Sequence, residues 1–278
     1  MPRFSSIDRE GWSFDHSFFI TNTFQQQTRT GESLIIDVEN YYYHLDIAYQ
    51  SGPWQFQTSL PFIANRPGQL DGLIENWHDF FGLPGGKRES FPRDEINLEY
   101  TRDGRTVFAE NEDSSGIGDI AIQAGYLTES RTAWYAAIEL PTGSESDLSG
   151  NGSTDVAIWV TKQWQPNPVM TTYALYGVSF PANDGVLKDL LEDQIQVIQL
   201  GFDYRFNENI LGLAQLDYHS ETVEDSRLKA FGHSLQLQLG LSFEGLIREH
   251  RLELFFSEDI QVGSAPDISF GLRVARQL

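Results

Sequence analysis

The sequence predicts an all-β protein, an antiparallel up-and-down transmembrane β-barrel of about fourteen strands, with twelve strands as the alternative. Three observations predict this fold. Apolar and polar residues alternate with a period of two along most of the 278 residues. Short and long breaks between these runs alternate along the chain, as the turns and loops of outer-membrane barrels do. Aromatic residues stand near the ends of the runs, where interfacial girdles are expected: Trp12, Phe24, Tyr41, Tyr49, Trp54, Phe62, Trp164, Tyr204, Phe206, Phe231 and Phe243.

The period of two is clearest between Phe231 and Phe243, where leucines and glutamines take opposite faces. A helix would scatter those leucines around its surface. Two segments, 94–101 and 105–110, are short for wall strands, which keeps the twelve-stranded alternative open. The segment 169–180 fits either register. Leu34, Ile36 and Val38 are out of phase with the run that starts at Tyr41, which predicts a β-bulge near Glu39.

The breaks between the runs fall into two classes. The short class reads as tight turns and includes 51–53, 103–104, 129–130, 166–168, 207–209 and 244–248. The other class is mostly longer and polar or acidic, and includes 26–32, 64–94, 111–115, 142–152, 182–193, 222–230 and 259–265. A closed barrel pairs every backbone group, as hydrocarbon requires. A soluble β-sandwich or lipocalin-like barrel is the alternative, but the loop asymmetry and the aromatic strand ends favour one membrane barrel over residues 1–278.

The composition of the chain excludes several classes of function. The chain has no cysteine, which excludes disulfide scaffolds, thiolate metal sites and cysteine nucleophiles. A formal net charge of −21 argues against nucleic acid as a partner. No apolar run approaches about 18 residues, so no transmembrane helix is expected. The first residues lack the apolar core of a signal peptide. We therefore expect a mature protein of the Gram-negative outer membrane whose leader has been removed.

The long second loop, 64–94, has a helical period instead. A short amphipathic helix is predicted near 70–82, ended by the glycines and proline of 82–86. Its apolar positions are Leu70, Leu73, Ile74, Trp77, Phe80 and Phe81. This helix could cap the barrel rim, plug the mouth, lie on the outer leaflet or meet a partner.

The same loop carries a family resemblance. The run from Trp77 to Arg88, WHDFFGLPGGKR, followed by Phe91 and Pro92, resembles the signature of a bacterial family of uncharacterised predicted outer-membrane proteins, the domain-of-unknown-function family 3187. The segment Gly116–Asp119, GIGD, is similar to a motif of outer-membrane proteins of the phenol-degradation meta-pathway type. The resemblance implies an outer-membrane barrel and supplies no activity and no functional residues.

The polar strand faces are expected to line the lumen. Their ionisable and polar residues are candidates for a charged constriction, with an internal salt-bridge network as the alternative: Tyr42, His44, Asp46, Glu99, Glu139, Asp155, Asp203, Arg205, Asp217, Arg251, Glu253 and Arg273. Phe19, Trp159, Leu211, Leu213 and Phe255 share the inward parity, which suits either a plugged barrel or a path for a partly apolar molecule. The inward glycines are expected to permit tight curvature rather than binding.

Catalytic and metal sites are not predicted. His44 with Asp46, and Asp217 with His219, share strand faces, and a nucleophile would have to come from Ser59 or Ser234. Paired lumen or rim residues are the favoured interpretation. No His/Cys metal cluster and no phosphate-binding loop occurs in the sequence, and no cofactor is expected. The acidic loops could hold divalent cations, although solubilising charge is favoured.

These observations predict a passive channel or transporter for a small, partly apolar solute, and not an enzyme. The expected partners are outer-membrane lipid, lipopolysaccharide, the solute and the barrel assembly machinery. Two alternatives remain. One is a lumen-filled structural or interaction barrel that contacts lipopolysaccharide or a partner. The other is an outer-membrane lipid hydrolase.

Overall fold

The fold is a closed β-barrel, seen in a computed structural model that describes residues 10–70, 72, 92, 95–247, 249–261, 263–266 and 268–277. Fifteen strands occur in the described residues. They are β1 (Gly11–Arg29), β2 (Glu32–Ser51), β3 (Trp54–Arg66), β4 (Asn97–Arg102), β5 (Arg105–Glu110), β6 (Ser114–Ile117), β7 (Ile120–Leu127), β8 (Thr132–Leu140), β9 (Asp155–Asn167), β10 (Met170–Phe180), β11 (Ile195–Asn207), β12 (Ile210–His219), β13 (Ser234–Ile247), β14 (His250–Asp259) and β15 (Ile268–Gln277).

Twelve of these strands form the wall. Each pairs antiparallel with its neighbours in the order β1-β2-β3-β7-β8-β9-β10-β11-β12-β13-β14-β15, and β15 pairs with β1 to close the ring. Twelve wall strands match the alternative count, and not the preferred fourteen. β6 pairs with β3 over residues 62–65, on the same side of β3 as β7, and adds no separate position to the ring. The reason for the lower count lies in β4 and β5. They form a hairpin that pairs with β2 over Glu32–Asp37, beyond the point where β2 leaves β3. The turn at 103–104 therefore lies at the long-loop end, next to Gly31.

The first two strands are longer than predicted. Their register runs without a shift from Gly11↔Gln50 to Arg29↔Glu32, so the expected long loop at 26–32 is a turn of two residues. The predicted bulge near Glu39 is wrong. The apolar phase changes because the surroundings change along one regular strand. Apolar residues from Tyr41 onward face outward, whereas Leu34 and Val38 face inward above the wall, where other parts of the chain cover them.

That inward apolar surface forms what we call the outer cap, a hydrophobic cluster at the long-loop end. Leu34, Tyr100 and Leu228 are its fully buried centre. Around them pack residues of β2, the β4–β5 hairpin and two loops: Ile36, Val107, Phe108, Leu187, Leu190, Ala230 and Phe231. A second buried group joins the cap through the shared neighbours Ile36 and Phe108, and contains Val38, Ile96 and Leu98 with Leu148 beside them. The β10–β11 loop stands opposite β2 in the ring order. The cap therefore reaches across the mouth of the barrel.

Polar contacts tie the same hairpin to the loop between β12 and β13. The Glu32 carboxylate accepts hydrogen bonds from the Tyr100 hydroxyl at 2.9 Å and the Arg227 backbone N–H at 3.0 Å. Arg102 donates to the Glu224 carbonyl at 2.9 Å. Burial, and then the bond to Glu32, raise the pKa of Tyr100 to about 12. Tyr100 therefore stays a hydroxyl donor through the physiological pH range.

The outward face carries an aromatic belt at the short-turn end. Its rings are between 37% and 61% exposed, as lipid-facing residues should be: Trp12, Tyr49, Trp54, Tyr126, Trp134, Trp164, Tyr204 and Phe206. Two predicted girdle residues lie elsewhere. Phe24 is buried, and Phe231 belongs to a 3-10 turn (Lys229–Phe231) that packs on Tyr100 in the cap. Among the described residues, no helix is long and apolar enough to cross a bilayer.

The helix predicted near 70–82 lies outside the described residues, apart from Leu70 and Gly72. Leu73, Ile74, Trp77, Phe80 and Phe81 are among the residues that are not described. The chain that leads to this segment is held at Glu39, whose carboxylate accepts the backbone N–H groups of Gln69 at 3.0 Å and Leu70 at 2.9 Å. The plug prediction stays a prediction.

Leu228→Ala should loosen the outer cap and leave the wall intact. Removing a buried leucine side chain costs about 2–5 kcal/mol, and Leu228 is one of the three fully buried residues at the centre of the cap. We expect faster protease cleavage in the loop 220–233 but unchanged heat-modifiable gel migration of the barrel. Leu246→Ala is the matched control, because Leu246 is 68% exposed at a short turn. Equal cleavage of the two variants would contradict the assignment of the cap.

Candidate functional site

The lumen is the candidate site. Side chains that alternate with the lipid-facing residues point into it, because neighbouring strand residues take opposite faces. Most of the predicted residues lie on this inward face: Tyr42, His44, Asp46, Glu139, Asp203, Arg205, Asp217, Arg251, Glu253 and Arg273. Arg205 stands near the short-turn end, where its Nη1 lies 3.3 Å from Glu244 Oε2. Their role in a constriction stays a prediction.

Two predicted lumen residues have other surroundings. Glu99 is exposed on β4, which lies outside the wall, so its assignment to the lumen is wrong. Asp155 stands at the rim of β9 and holds two loops. Its carboxylate accepts the Ser153 hydroxyl at 2.7 Å, the Asn151 amide at 2.8 Å and the Ala182 backbone N–H at 2.8 Å. These bonds make Asp155 an anchor for loops.

An ion-pair chain crosses β14, β15 and β1. Arg251 Nε lies 3.0 Å from Glu253 Oε1, and Arg273 Nη1 lies 3.7 Å from Glu253 Oε2. Arg273 also contacts the carboxylate of Asp15. The Glu253 side chain is 1% exposed, so its charge depends on these partners. Asp15 is absent from the predicted lumen residues, although the two-residue period of β1 places it on the inward face.

The lumen beside this chain is filled. Phe19 packs edge-on against Phe255, with ring centroids 5.2 Å apart. Across from them, the Tyr173 hydroxyl donates to Gln215 Oε1 at 3.1 Å, and the Gln215 amide donates to Asp217 at 2.7 Å. The cavity left among these residues measures about 40 Å³. This half of the lumen is therefore a packed polar and aromatic core.

The other half holds a chamber of about 380 Å³. We call it the lumen chamber. Its wall runs along β3, β7 and β8 from Gln55, near the short-turn end, to Glu139, near the long-loop end. The lining residues are Asp15, Ser17, Phe19, His44, Asp46, Gln55, Gln57, Ser59, Ala121, Gln123, Tyr135, Ala137, Glu139, Trp159, Leu175 and Arg273.

Inward glycines make room for the lumen aromatics. A Cβ on Gly125 would lie 2.3 Å from the Tyr135 ring, and a Cβ on Gly201 would lie 2.3 Å from the Tyr173 ring. Both glycines face their tyrosine directly across the strand pair. Each ring can therefore lie against the wall instead of crossing the lumen. These two glycines make room for aromatic rings. This role is more specific than the tight curvature that was predicted for the inward glycines.

The Gly116–Asp119 motif has a structural role in the described residues. The Asp119 carboxylate accepts the backbone N–H groups of Gly143 at 2.8 Å and Asn151 at 2.7 Å. A Cβ on Gly118 would lie 2.9 Å from Pro61. The motif thus clamps the β8–β9 loop onto the rim of the barrel.

The hydrogen bonds do not assemble a serine–histidine pair. The Ser59 hydroxyl donates to Asp46 at 2.5 Å rather than to His44, whose ring lies edge-on to Phe19. His219 Nδ1 bonds to the Ser220 carbonyl at 2.7 Å, and among the described residues the buried Ser234 hydroxyl has no hydrogen-bond partner. A nucleophile needs a base within hydrogen-bond reach. No group of His, Asp or Glu residues able to hold a metal ion occurs in the described part of the chain.

Glu253→Gln should destabilise the barrel strongly. The change removes the charge that Arg273 and Arg251 share in a buried site, and breaking such a pair costs about 3–5 kcal/mol. Glu249→Gln breaks the exposed pair with Arg276 and should cost at most about 1 kcal/mol. Urea unfolding in lipid vesicles measures both. Similar losses of unfolding free energy in the two variants would show that the buried ion-pair chain stabilises the barrel no more than an exposed pair does.

Comparisons with known proteins place the fold among outer-membrane β-barrels. The structure is similar to the COG4313 outer membrane channel from Pseudomonas putida F1, with a TM-score of 0.63, 14% sequence identity and 99% of both chains covered. It is also similar to the NanC porin, with a TM-score of 0.53 and 9% identity over 96% of this chain and 100% of that one. The translocator domain of the autotransporter NalP from Neisseria meningitidis gives a TM-score of 0.51 at 8% identity, over 98% and 90%. At sequence identities this low, the similarity supports the fold and nothing beyond it.

Sequence comparison assigns the family. No curated protein matches the chain. A family model described as "Protein of unknown function (DUF3187)" matches residues 3–275, nearly the whole chain. The protein therefore belongs to the DUF3187 family.

Proposed function

We propose that this protein is a passive channel for small solutes in the Gram-negative outer membrane. The lumen chamber carries the proposal. It extends along residues 55–59 of β3, 121–123 of β7 and 135–139 of β8, and its wall combines charged, amide and aromatic side chains. Solved structures that share the fold include an outer-membrane channel and a porin. The exposed aromatic belt supports contact with outer-membrane lipid.

The chamber does not reach all of the charged residues predicted for a constriction. Arg205, Arg251 and Glu253 are not among its lining residues. The chamber passes Asp46, Tyr135 and Glu139 instead. A partly apolar solute suits this wall, because Tyr135, Trp159 and Leu175 offer apolar contact beside polar groups.

A lumen-filled structural barrel is the second candidate. The outer cap over the long-loop mouth and the packed half of the lumen favour it. In that case the chamber would be an internal void behind a permanent cap, and lipopolysaccharide or another protein would contact the loops. Conductance separates the two candidates. For the hydrolase alternative, neither the Ser59 hydroxyl nor the Ser234 hydroxyl is hydrogen-bonded to a histidine among the described residues.

The first test is single-channel conductance of the refolded protein in a planar bilayer. A channel should give stable current steps. Silence from protein whose refolding is confirmed by gel migration and β circular dichroism would favour the structural barrel. The assembly machinery and lipopolysaccharide remain proposed partners that this measurement does not address.

Gly125→Ala should reduce the conductance. The added Cβ would lie 2.3 Å from Tyr135, so the ring must move off the wall and into the chamber. We expect a decrease of roughly one quarter to one half, since passage through a pore depends on its width. The overpacking should also cost about 1–3 kcal/mol of stability.

Gly212→Ala is the matched control. Its Cβ would lie 2.7 Å from Phe206, a ring that is 61% exposed on the lipid face. The same substitution thus displaces an aromatic ring outside the barrel and should leave the conductance unchanged. A conductance that is equal in Gly125→Ala and wild type would contradict the proposed path.

A further inference from the structure

We propose that the lumen chamber selects amphipathic organic cations, molecules with an ammonium group at one end and an apolar or aromatic body at the other. This inference rests on the proposed channel function and names the class of solute. The cross-strand register of the chamber wall carries it. Residues paired across β2, β3, β7, β8 and β9 form rows, and three successive inward rows differ in chemistry.

The first row is acidic and lies toward the long-loop end. Asp46 pairs with Ser59, Ser59 with Ala121, Ala121 with Glu139, and Glu139 with Asp155. Asp46 and Glu139 both line the chamber. Among the described residues, neither has an arginine or lysine within ion-pair distance. An ammonium group entering this row would meet carboxylates that lack a cationic partner.

The second row is small and neutral. It contains Gln57, Gln123 and Ala137, paired in that order. The Gln123 amide donates to Gln57 Oε1 at 3.1 Å, so the two side chains are bonded to each other along the wall. Small and mutually bonded side chains leave space between the rows on either side.

The third row is aromatic. Gln55 pairs with Gly125, Gly125 with Tyr135, and Tyr135 with Trp159. The Tyr135 and Trp159 rings stack with centroids 5.1 Å apart and planes 12° apart, and the Tyr135 hydroxyl donates to Gln55 at 2.9 Å. Glu139 and Tyr135 are four residues apart on β8, about 13 Å along the strand. The wall thus offers an acidic end and an aromatic end at a fixed separation.

The charges around the chamber favour a cation. Its lining contains three carboxylates, Asp15, Asp46 and Glu139, and one guanidinium, Arg273. With His44 neutral and all three carboxylates ionised, the difference is two negative charges. Arg273 already contacts Asp15 and lies 3.7 Å from the buried Glu253, so its positive charge is compensated before a solute arrives. A solute carboxylate would face this net negative wall, and the described lining residues offer it no cation beyond Arg273.

Direct binding tests the inference independently of conductance. The probes are 4-phenylbutylammonium and 4-phenylbutanoate, which share an apolar body and differ in the charged end. Each is titrated calorimetrically into the refolded protein in detergent, and the heat of the same titration into protein-free micelles is subtracted. We expect the ammonium probe to bind at least roughly tenfold more tightly, as for one charge-assisted hydrogen bond. Equal binding, or tighter binding of the carboxylate, would overturn the inference.

Variants locate the site within the chamber. Glu139→Gln and Asp46→Asn should each weaken binding of the ammonium probe by roughly tenfold. Trp159→Leu should weaken it about three- to tenfold, because the phenyl body of the probe loses its aromatic contact. Glu99→Gln is the charge-matched control on exposed β4 and should bind like wild type. If all the chamber variants also bind like wild type, the preference arises elsewhere and the proposal fails.

The outcomes for channel and solute class are distinguishable. Current steps without a preference for the ammonium probe would retain the channel and reject the organic cation. Ammonium binding that the chamber variants weaken, in a protein that gives no current, would support the chamber as a binding site and reject passive conduction.

Discussion

The structure depends on the closure of one hydrogen-bonded sheet. A strand surrounded by hydrocarbon cannot leave its N–H and C=O groups unpaired, so the edges of the sheet must meet. They do so where β1 pairs with β15, over ten consecutive residue pairs. Closure leaves each wall side chain one of two environments, the lipid or the lumen. Both the aromatic belt and the lumen chamber follow from that division.

The two halves of the lumen show how a narrow barrel handles polar groups. On one side Arg251, Glu253, Arg273 and Asp15 compensate one another, and aromatic rings fill the remaining space. On the other side the rings lie against the wall and a chamber remains. Gly125 is decisive there, because only a residue without a Cβ lets Tyr135 lie flat across the strand pair. The packing of aromatic rings against the wall therefore determines how much space the lumen leaves for a solute.

The outer cap also depends on the two opposite faces of a strand, but there the apolar residues take the inward face. Above the wall no lipid covers the outward face, so β2 turns its apolar residues inward against loops from the opposite side of the ring. Glu32 then joins the cap to the β12–β13 loop through Tyr100 and Arg227. Asp119 and Asp155 hold the loops after β8 and β10 in a similar way. Several acidic residues at the rim thus serve to order loops.

The sequence by itself determined the barrel class and the inward parity of residues such as His44, Asp46, Glu139 and Arg273. Each of these follows from a local rule, the two-residue period of a strand. Only the tertiary structure decided that β4 and β5 leave the wall, that Glu99 is exposed, and that Leu34 starts a cap rather than a bulge. It also decided which residues meet across strands, such as Asp15 with Arg273, 258 positions apart. Local periodicity assigns a side chain to a face, but the partner depends on register between strands distant in sequence, which forms only when the sheet closes.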